Sequence, residues 1–297
     1  MHKTKLEDMN LLENFLFESV LSYPEIGEQF GRKLLQIIFG RQFGRLRVFP
    51  QKVYPGSDSG LHGARLDVYI EEEDFDALTA NGILQTVYNL EPERNSKKEV
   101  VRALPKRMRF YHAKIDAKSL RAGKSYDQLK NVIIVMIMPF DPFGRNRMVY
   151  TIRNRCVEDP DMPYDDGAVT IFLYTKGIYG IVSEELRQLL KYMEHTTKEN
   201  ASSTALQEMH RMVELVRQSE EVELNYMSMY EEFRMARLEA ETETRQENIL
   251  ELLQELGEIS SELDARIREE ECIPILKKWL KIAAKVTSLQ EFECQIS

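Results

Sequence analysis

Cysteine is scarce in this chain: Cys156, Cys272 and Cys294 are odd in number and far apart in 297 residues. Scattered in this way they supply neither a disulfide framework nor a Cys-x-x-Cys zinc site. The five histidines, at positions 2, 62, 112, 195 and 210, show no ligand spacing either. Long apolar runs are missing as well. The longest, Val132 to Met138, has the length of a strand, far short of the ~20 residues that a spanning helix needs. The segment Met1 to Asp8 lacks the apolar centre of a signal peptide, so the expected location is the cytoplasm, with no membrane partner. No internal repeat or low-complexity tract stands out.

What is present is a globular composition with a charged surface: 43% hydrophobic and 30% charged residues. The length suits one large domain with an appendage, or two medium domains. The net charge of −9 divides unevenly: residues 1 to 155 carry +6 and the remainder −15. A basic front half can meet a polyanion such as nucleic acid. The acidic rear half suits folding, self-association or partner contacts, or is simply a Glu-rich helical surface.

Periodicity gives an element order. Leu11, Leu12, Phe15, Leu16 and Val20 predict a helix, Pro24 interrupts, and Ile26 to Ile38 resume the period until Gly40. Strands are expected near 45 to 49, 65 to 70, 85 to 91, 131 to 138, 148 to 153 and 168 to 174, parted by turn-formers at 55 to 58, 81 to 82 and 165 to 167. A helix is predicted from Pro105 to near Gly123. From about 184 the pattern is helical and acidic, with a polar break at 196 to 203 and one long helix over 204 to 246. Met209, Met212, Val213, Val216, Met227, Tyr230 and Phe233 could line a seam there, without a sustained heptad. The tail reads as a small helical module, with starts expected at Ser261-x-x-Asp264, Pro274 and Ser288-x-x-Glu291.

The residues that carry chemistry are acidic. Asp67 lies in one expected strand, and Glu91 and Glu93 lie in the next, where period 2 sets the two glutamates on one face. Hard cations such as Mg²⁺ take a few carboxylate oxygens and keep several waters, so these three acids can form a divalent-metal site. They can equally be solvated strand ends. Pro92 removes a backbone donor between the glutamates, which places their strand at a sheet edge or at its own end. On the following helix Arg107, Lys114, Lys118 and Arg121 are spaced to form a basic stripe, suited to phosphates or to plain solvation.

Several dispersed runs carry a family resemblance: 12 to 21 (LENFLFESVL), 63 to 69 (GARLDVY), 88 to 93 (YNLEPE), 107 to 116 (RMRFYHAKID), 139 to 144 (PFDPFG) and 276 to 284 (LKKWLKIAA). In this order the chain resembles the PD-(D/E)xK nuclease family transposases, the recombination-promoting nuclease group often called Rpn. The resemblance implies an α/β fold, a restriction-endonuclease-like mixed sheet flanked by helices, followed by an all-helical carboxyl-terminal region. The expected division is a nuclease-like domain over 1–183, a helical linker or oligomerisation region over 184–246 and a small helical module over 247–297. The implied activity is Mg²⁺- or Mn²⁺-dependent cleavage of DNA, tied to recombination, mobile elements or defence.

Carried over residue by residue, Asp67 and Glu91 would hold the metal, and Glu93 stands where the family commonly has Lys or, in this group, Gln. Glu93 cannot donate to a phosphate as Lys does. It is open whether it is an added metal ligand, a general base or the mark of a degenerate scaffold that only binds DNA or protein partners. Lys106, Arg107 or Lys114 could supply the missing cation. Tyr111 could position water or phosphate, and Glu18 could add a carboxylate. The plain alternatives are a core tyrosine, a surface glutamate and a structural ion pair for Arg107. Self-association through the rear helices is the expected homo-oligomer contact.

Overall fold

The structure, a computed structural model, describes residues 4–54, 63–73, 86–120 and 122–296. Two helices open the chain, α1 (Asn14–Ser22) and α2 (Gly27–Phe39). Gly40 closes α2 in the left-handed region at φ 66°, where a residue without Cβ is unstrained. Three strands follow, β1 (Arg45–Tyr54), β2 (Ala64–Glu73) and β3 (Thr86–Pro92), then α3 (Lys98–Ser119), β4 (Asn131–Met138), β5 (Val149–Ile152) and β6 (Ala168–Tyr174). Every expected strand is present to within a few residues at its ends, except that β1 runs on through Tyr54. The expected turns at 55 to 58 and 81 to 82 lie outside the described residues.

One six-stranded mixed sheet results, in the order β1-β2-β3-β4-β6-β5. The meander β1-β2-β3 is antiparallel, β3-β4 and β4-β6 are parallel, and β5 returns antiparallel at the far edge. Pro50 is tolerated in β1 because that strand is the other edge. Pro92 does not mark an edge: β3 is interior, and Pro92 is its last residue. Alternation assigns the two faces. Tyr88 packs edge-on to Phe39 of α2, while its neighbour Val87 joins Leu104, Met108 and Ile115 of α3 in a core with Val132, Ile134, Met136, Met138 and Phe172. Helices thus cover both faces, and β4 is apolar from Val132 to Met138 for that reason.

The helix expected to start at Pro105 starts seven residues earlier, at Lys98, and carries Pro105 inside. An interior proline leaves the Val101 carbonyl without its helical donor. Leu104, fully buried, and Val101, packed on the same core, anchor the turn before it and outweigh that loss.

The described residues divide into two units, Met1–Glu223 and Leu224–Ser297, a division that does not follow the boundaries expected at 183 and 246. Helices α4 (Glu184–Glu194) and α5 (Thr204–Arg217) belong to the first unit. They bury Leu189, Leu190, Met193, Leu206, Met209, Val213 and Val216. Polar ties secure them: Thr196 Oγ1 accepts from the Leu11 N–H at 2.9 Å, Arg217 reaches the Met9 carbonyl, and Lys33 pairs with Glu208. The long helix expected over 204 to 246 is broken at Gln218 and Ser219, and α6 runs Glu220–Gln254. Of the expected seam, Met227 and Phe233 are exposed. In the second unit, α7 (Ser261–Glu269), α8 (Ile273–Ala283) and α9 (Leu289–Ile296) surround Leu253, Leu276, Trp279 and Phe292. Ser260 rather than Ser261 caps α7, its Oγ accepting from the Leu263 N–H. Among the described residues no helix is long and apolar enough to cross a membrane.

Candidate active site

Strand pairing delivers the acids to one place. Val68 opposes Leu90 in the antiparallel β2-β3 ladder, so Asp67 and Glu91 come from adjacent positions on neighbouring strands. Glu91 in turn opposes Met136 of β4, a member of the α3-side core, and is 4% exposed. Burial pushes the Glu91 carboxyl up to about 7, against the pull of Asn89, Arg107 and the Asp67 backbone N–H. The same desolvation, joined by the charges of Glu91 and Glu18, raises Asp67 to about 8. The two acids therefore repel one another in a poorly hydrated site. The positive charges of Arg107, at both acids, and Arg65, at Asp67, pull against this but do not offset the burial.

Each acid is held by an amide. The Asn14 side chain, at the start of α1, donates to Asp67 Oδ2 at 2.9 Å, and the Asn89 side chain donates to Glu91 Oε1 at 2.8 Å. Asn89 and Glu91 share a strand face by period 2. The other end of that amide, Asn89 Oδ1, is buried with no donor. Glu18, one turn along α1 from Asn14, is buried beside Asp67; it accepts from Gln51 and lies 3.9 Å from Arg65. Burial raises its carboxyl too. Sequence reading placed Glu18 here but missed Asn14, Gln51, Arg65 and Asn89. Only Asn89 had a local signal, its spacing of two from Glu91.

Glu93 is differently placed. Arg107 Nη1 donates to its Oε2 at 2.8 Å, and the Asn95 N–H donates to its Oε1 at 2.8 Å. Both oxygens are thus engaged, and the structural ion pair that was the plain alternative for Arg107 is made with Glu93. Burial opposes the Arg107 charge, but Glu93, Tyr111 and Glu91 outweigh it and raise the guanidinium further. The Arg107 guanidinium lies 5.9 Å from the Tyr111 ring. Burial, with Glu91 next, pushes the Tyr111 hydroxyl up to about 12, so it is a neutral donor near Asp67, Glu91 and Glu93.

The basic stripe on α3 is less uniform than its spacing suggested. Arg107 pairs with Glu93 through Nη1, Lys114 sits 5.4 Å over the Phe110 ring, Lys118 is exposed, and Arg121 lies outside the described residues. His112 turns from the acids to Thr170 of β6, with 3.0 Å between Nε2 and Oγ1.

As the side chains stand, no three His, Cys, Asp or Glu among the described residues are arranged to hold one ion. Mg²⁺ does not require three, since it commonly binds through one or two carboxylates with retained waters. Asp67 and Glu91 fit that requirement: hard oxygen donors on adjacent strands, both raised by burial despite the nearby charge of Arg107, with the oxygen of the amide that holds Glu91 left without a donor. Comparison with family models, curated proteins and solved structures finds no match.

Proposed function

We propose that the chain is a Mg²⁺- or Mn²⁺-dependent endonuclease that hydrolyses DNA phosphodiester bonds, with Asp67 and Glu91 as the metal-holding pair. The observation that carries this reading is the meeting of those two carboxylates on adjacent strands, each raised by burial, with the charge of Glu91 adding to the shift at Asp67. The element order supports it: helices, an antiparallel meander bearing Asp67 and Glu91, a helix, then a parallel strand, the order of the resembled nucleases. When bound, the ion supplies an acidified water and neutralises charge growing on the phosphate.

The chain's own groups have separable roles. Asn14 and Asn89 orient the two acids, a task that costs about 10- to 100-fold in affinity or activity when removed. Glu93 fixes the Arg107 guanidinium beside the acids, and Arg107 then takes the part of the family's lysine, meeting the scissile phosphate. Tyr111, neutral across the physiological range, donates a hydrogen bond to water or phosphate.

The test is plasmid cleavage with Mg²⁺ or Mn²⁺. Wild type should nick or linearise the plasmid, Asp67→Asn and Glu91→Gln should fall to background, and Asn89→Ala should lose about 10- to 100-fold. Equal cleavage by wild type and Asp67→Asn sinks the assignment. The Glu93–Arg107 pair also favours a second reading, a degenerate scaffold that binds DNA without cutting it. That reading predicts salt-sensitive DNA binding and no metal-stimulated cleavage by wild type.

A further inference from the structure

The sheet edge opposite β1 carries charge that plays no part in the candidate centre. Four arginines flank β5 at spacings of two, Arg145 and Arg147 before it, Arg153 and Arg155 after it, and all four are exposed. Among the described residues none of their side chains forms an ion pair or hydrogen bond, in contrast to Arg107. Their setting is built. Asp141 gathers the Phe143 and Asn146 N–H groups and the Tyr150 hydroxyl, shaping the turn before Arg147. The chain at 177 to 179 is then laid against that turn: the Ile178 and Tyr179 N–H groups donate to the Asn146 carbonyl, and the Met148 N–H to the Tyr179 carbonyl. Gly177 makes this approach, since a Cβ there would lie 2.5 Å from Met148 N.

Two clefts open on this edge. One, about 630 Å³, is lined by Arg145, Arg147, Tyr179 and Gly180. The other, about 350 Å³, lies between α3 and the β5-β6 pair, where Arg109, Arg153, His112 and Asn154 surround a floor of Met108 and Phe172. Exposed rings sit in both: Tyr179 is 59% exposed, and Phe143 38%, the latter held edge-on by Phe172 at 5.1 Å. Unpaired arginines beside exposed rings suit phosphates joined to unstacked bases. Arginine also discourages another strand from adding to an open edge. The acidic loop at 158 to 166 follows on one side, where Asp166 is taken by Asn154 and the Ala168 N–H.

We infer that this edge is a binding surface for single-stranded nucleic acid, with Arg145, Arg147, Arg153 and Arg155 tracking the phosphates and Tyr179 stacking on a base. The inference deepens the nuclease reading, and rests on it only for choosing DNA as the strand tested.

The experiment is fluorescence anisotropy of labelled dT20 with the full chain in EDTA, so that no cleavage occurs, across a salt series. The variant R145A/R147A/R153A/R155A should bind at least tenfold more weakly, with a salt slope flatter by about 0.7 for each phosphate no longer neutralised. Tyr179→Ala should weaken binding roughly fivefold or more, K277A/K278A, at exposed lysines of the second unit, should stay within twofold, and a duplex of equal length should compete poorly. A thermal melt checks the fourfold variant's folding, and R153E/R155E replaces it if the melt is lost. Absence of binding by wild type, binding by the fourfold variant within twofold of wild type, or preference for duplex overturns the inference. The two readings fail separately: binding through the arginines without metal-stimulated cleavage removes the nuclease, whereas cleavage with unaltered binding by the fourfold variant removes this surface.

Discussion

At the scale of single residues, the candidate centre rests on two acids that the fold makes reluctant to ionise. Asp67, raised to about 8, and Glu91, raised to about 7, keep a proton that the unfolded chain releases near pH 4, roughly the unperturbed range. Between those values the folded state binds more protons than the unfolded one, so stability falls as pH rises through the window from about 4 to 8. In EDTA, the melting temperature of wild type relative to Asp67→Asn should therefore drop between pH 5 and pH 8. Mn²⁺ should reverse the drop and release protons, since a coordinating carboxylate must be ionised. A pH-independent difference would contradict the raised values. Asp67, Glu91 and Glu93 were legible as acids on alternating strands, but their inequality was not. What separates them is contact over distance: Asn14 is 53 residues from Asp67, and Arg107 is 14 from Glu93 and already committed to it.

At the scale of elements, β1 was legible because its burial alternates, and β4 because Val132 to Met138 is an unbroken apolar run. The helix start at Lys98 was hidden behind Pro105, a residue that ordinarily opens helices. Tertiary burial of Leu104 overrode that local signal. Removing the proline should then help: Pro105→Ala restores the donor to Val101 and should stabilise the chain by about 1 to 2 kcal/mol in urea unfolding. Destabilisation would mean that the proline's bend is needed for packing. The arginines around β5 were visible as alternating letters, yet their exposure at a sheet edge follows only from the pairing of that strand with β6.

At the scale of the molecule, the structural division falls inside the acidic rear half seen in composition, since α4 and α5 belong to the first unit. The acids of the candidate centre and the unpaired arginines both lie within Met1–Glu223, whereas Leu224–Ser297 closes a helical core of its own around Trp279 and Phe292. The sequence could not place the division, because α6 is continuous through it and offers no break in pattern there. The central claim, that Asp67 and Glu91 share a divalent ion, is tested most directly by anomalous diffraction from crystals of the full chain soaked in Mn²⁺. A shared ion predicts a peak between the two carboxylates, with an oxygen of each at about 2.0 to 2.3 Å, distances typical of a small hard cation. Full occupancy elsewhere, with both acids turned to separate partners, would contradict it.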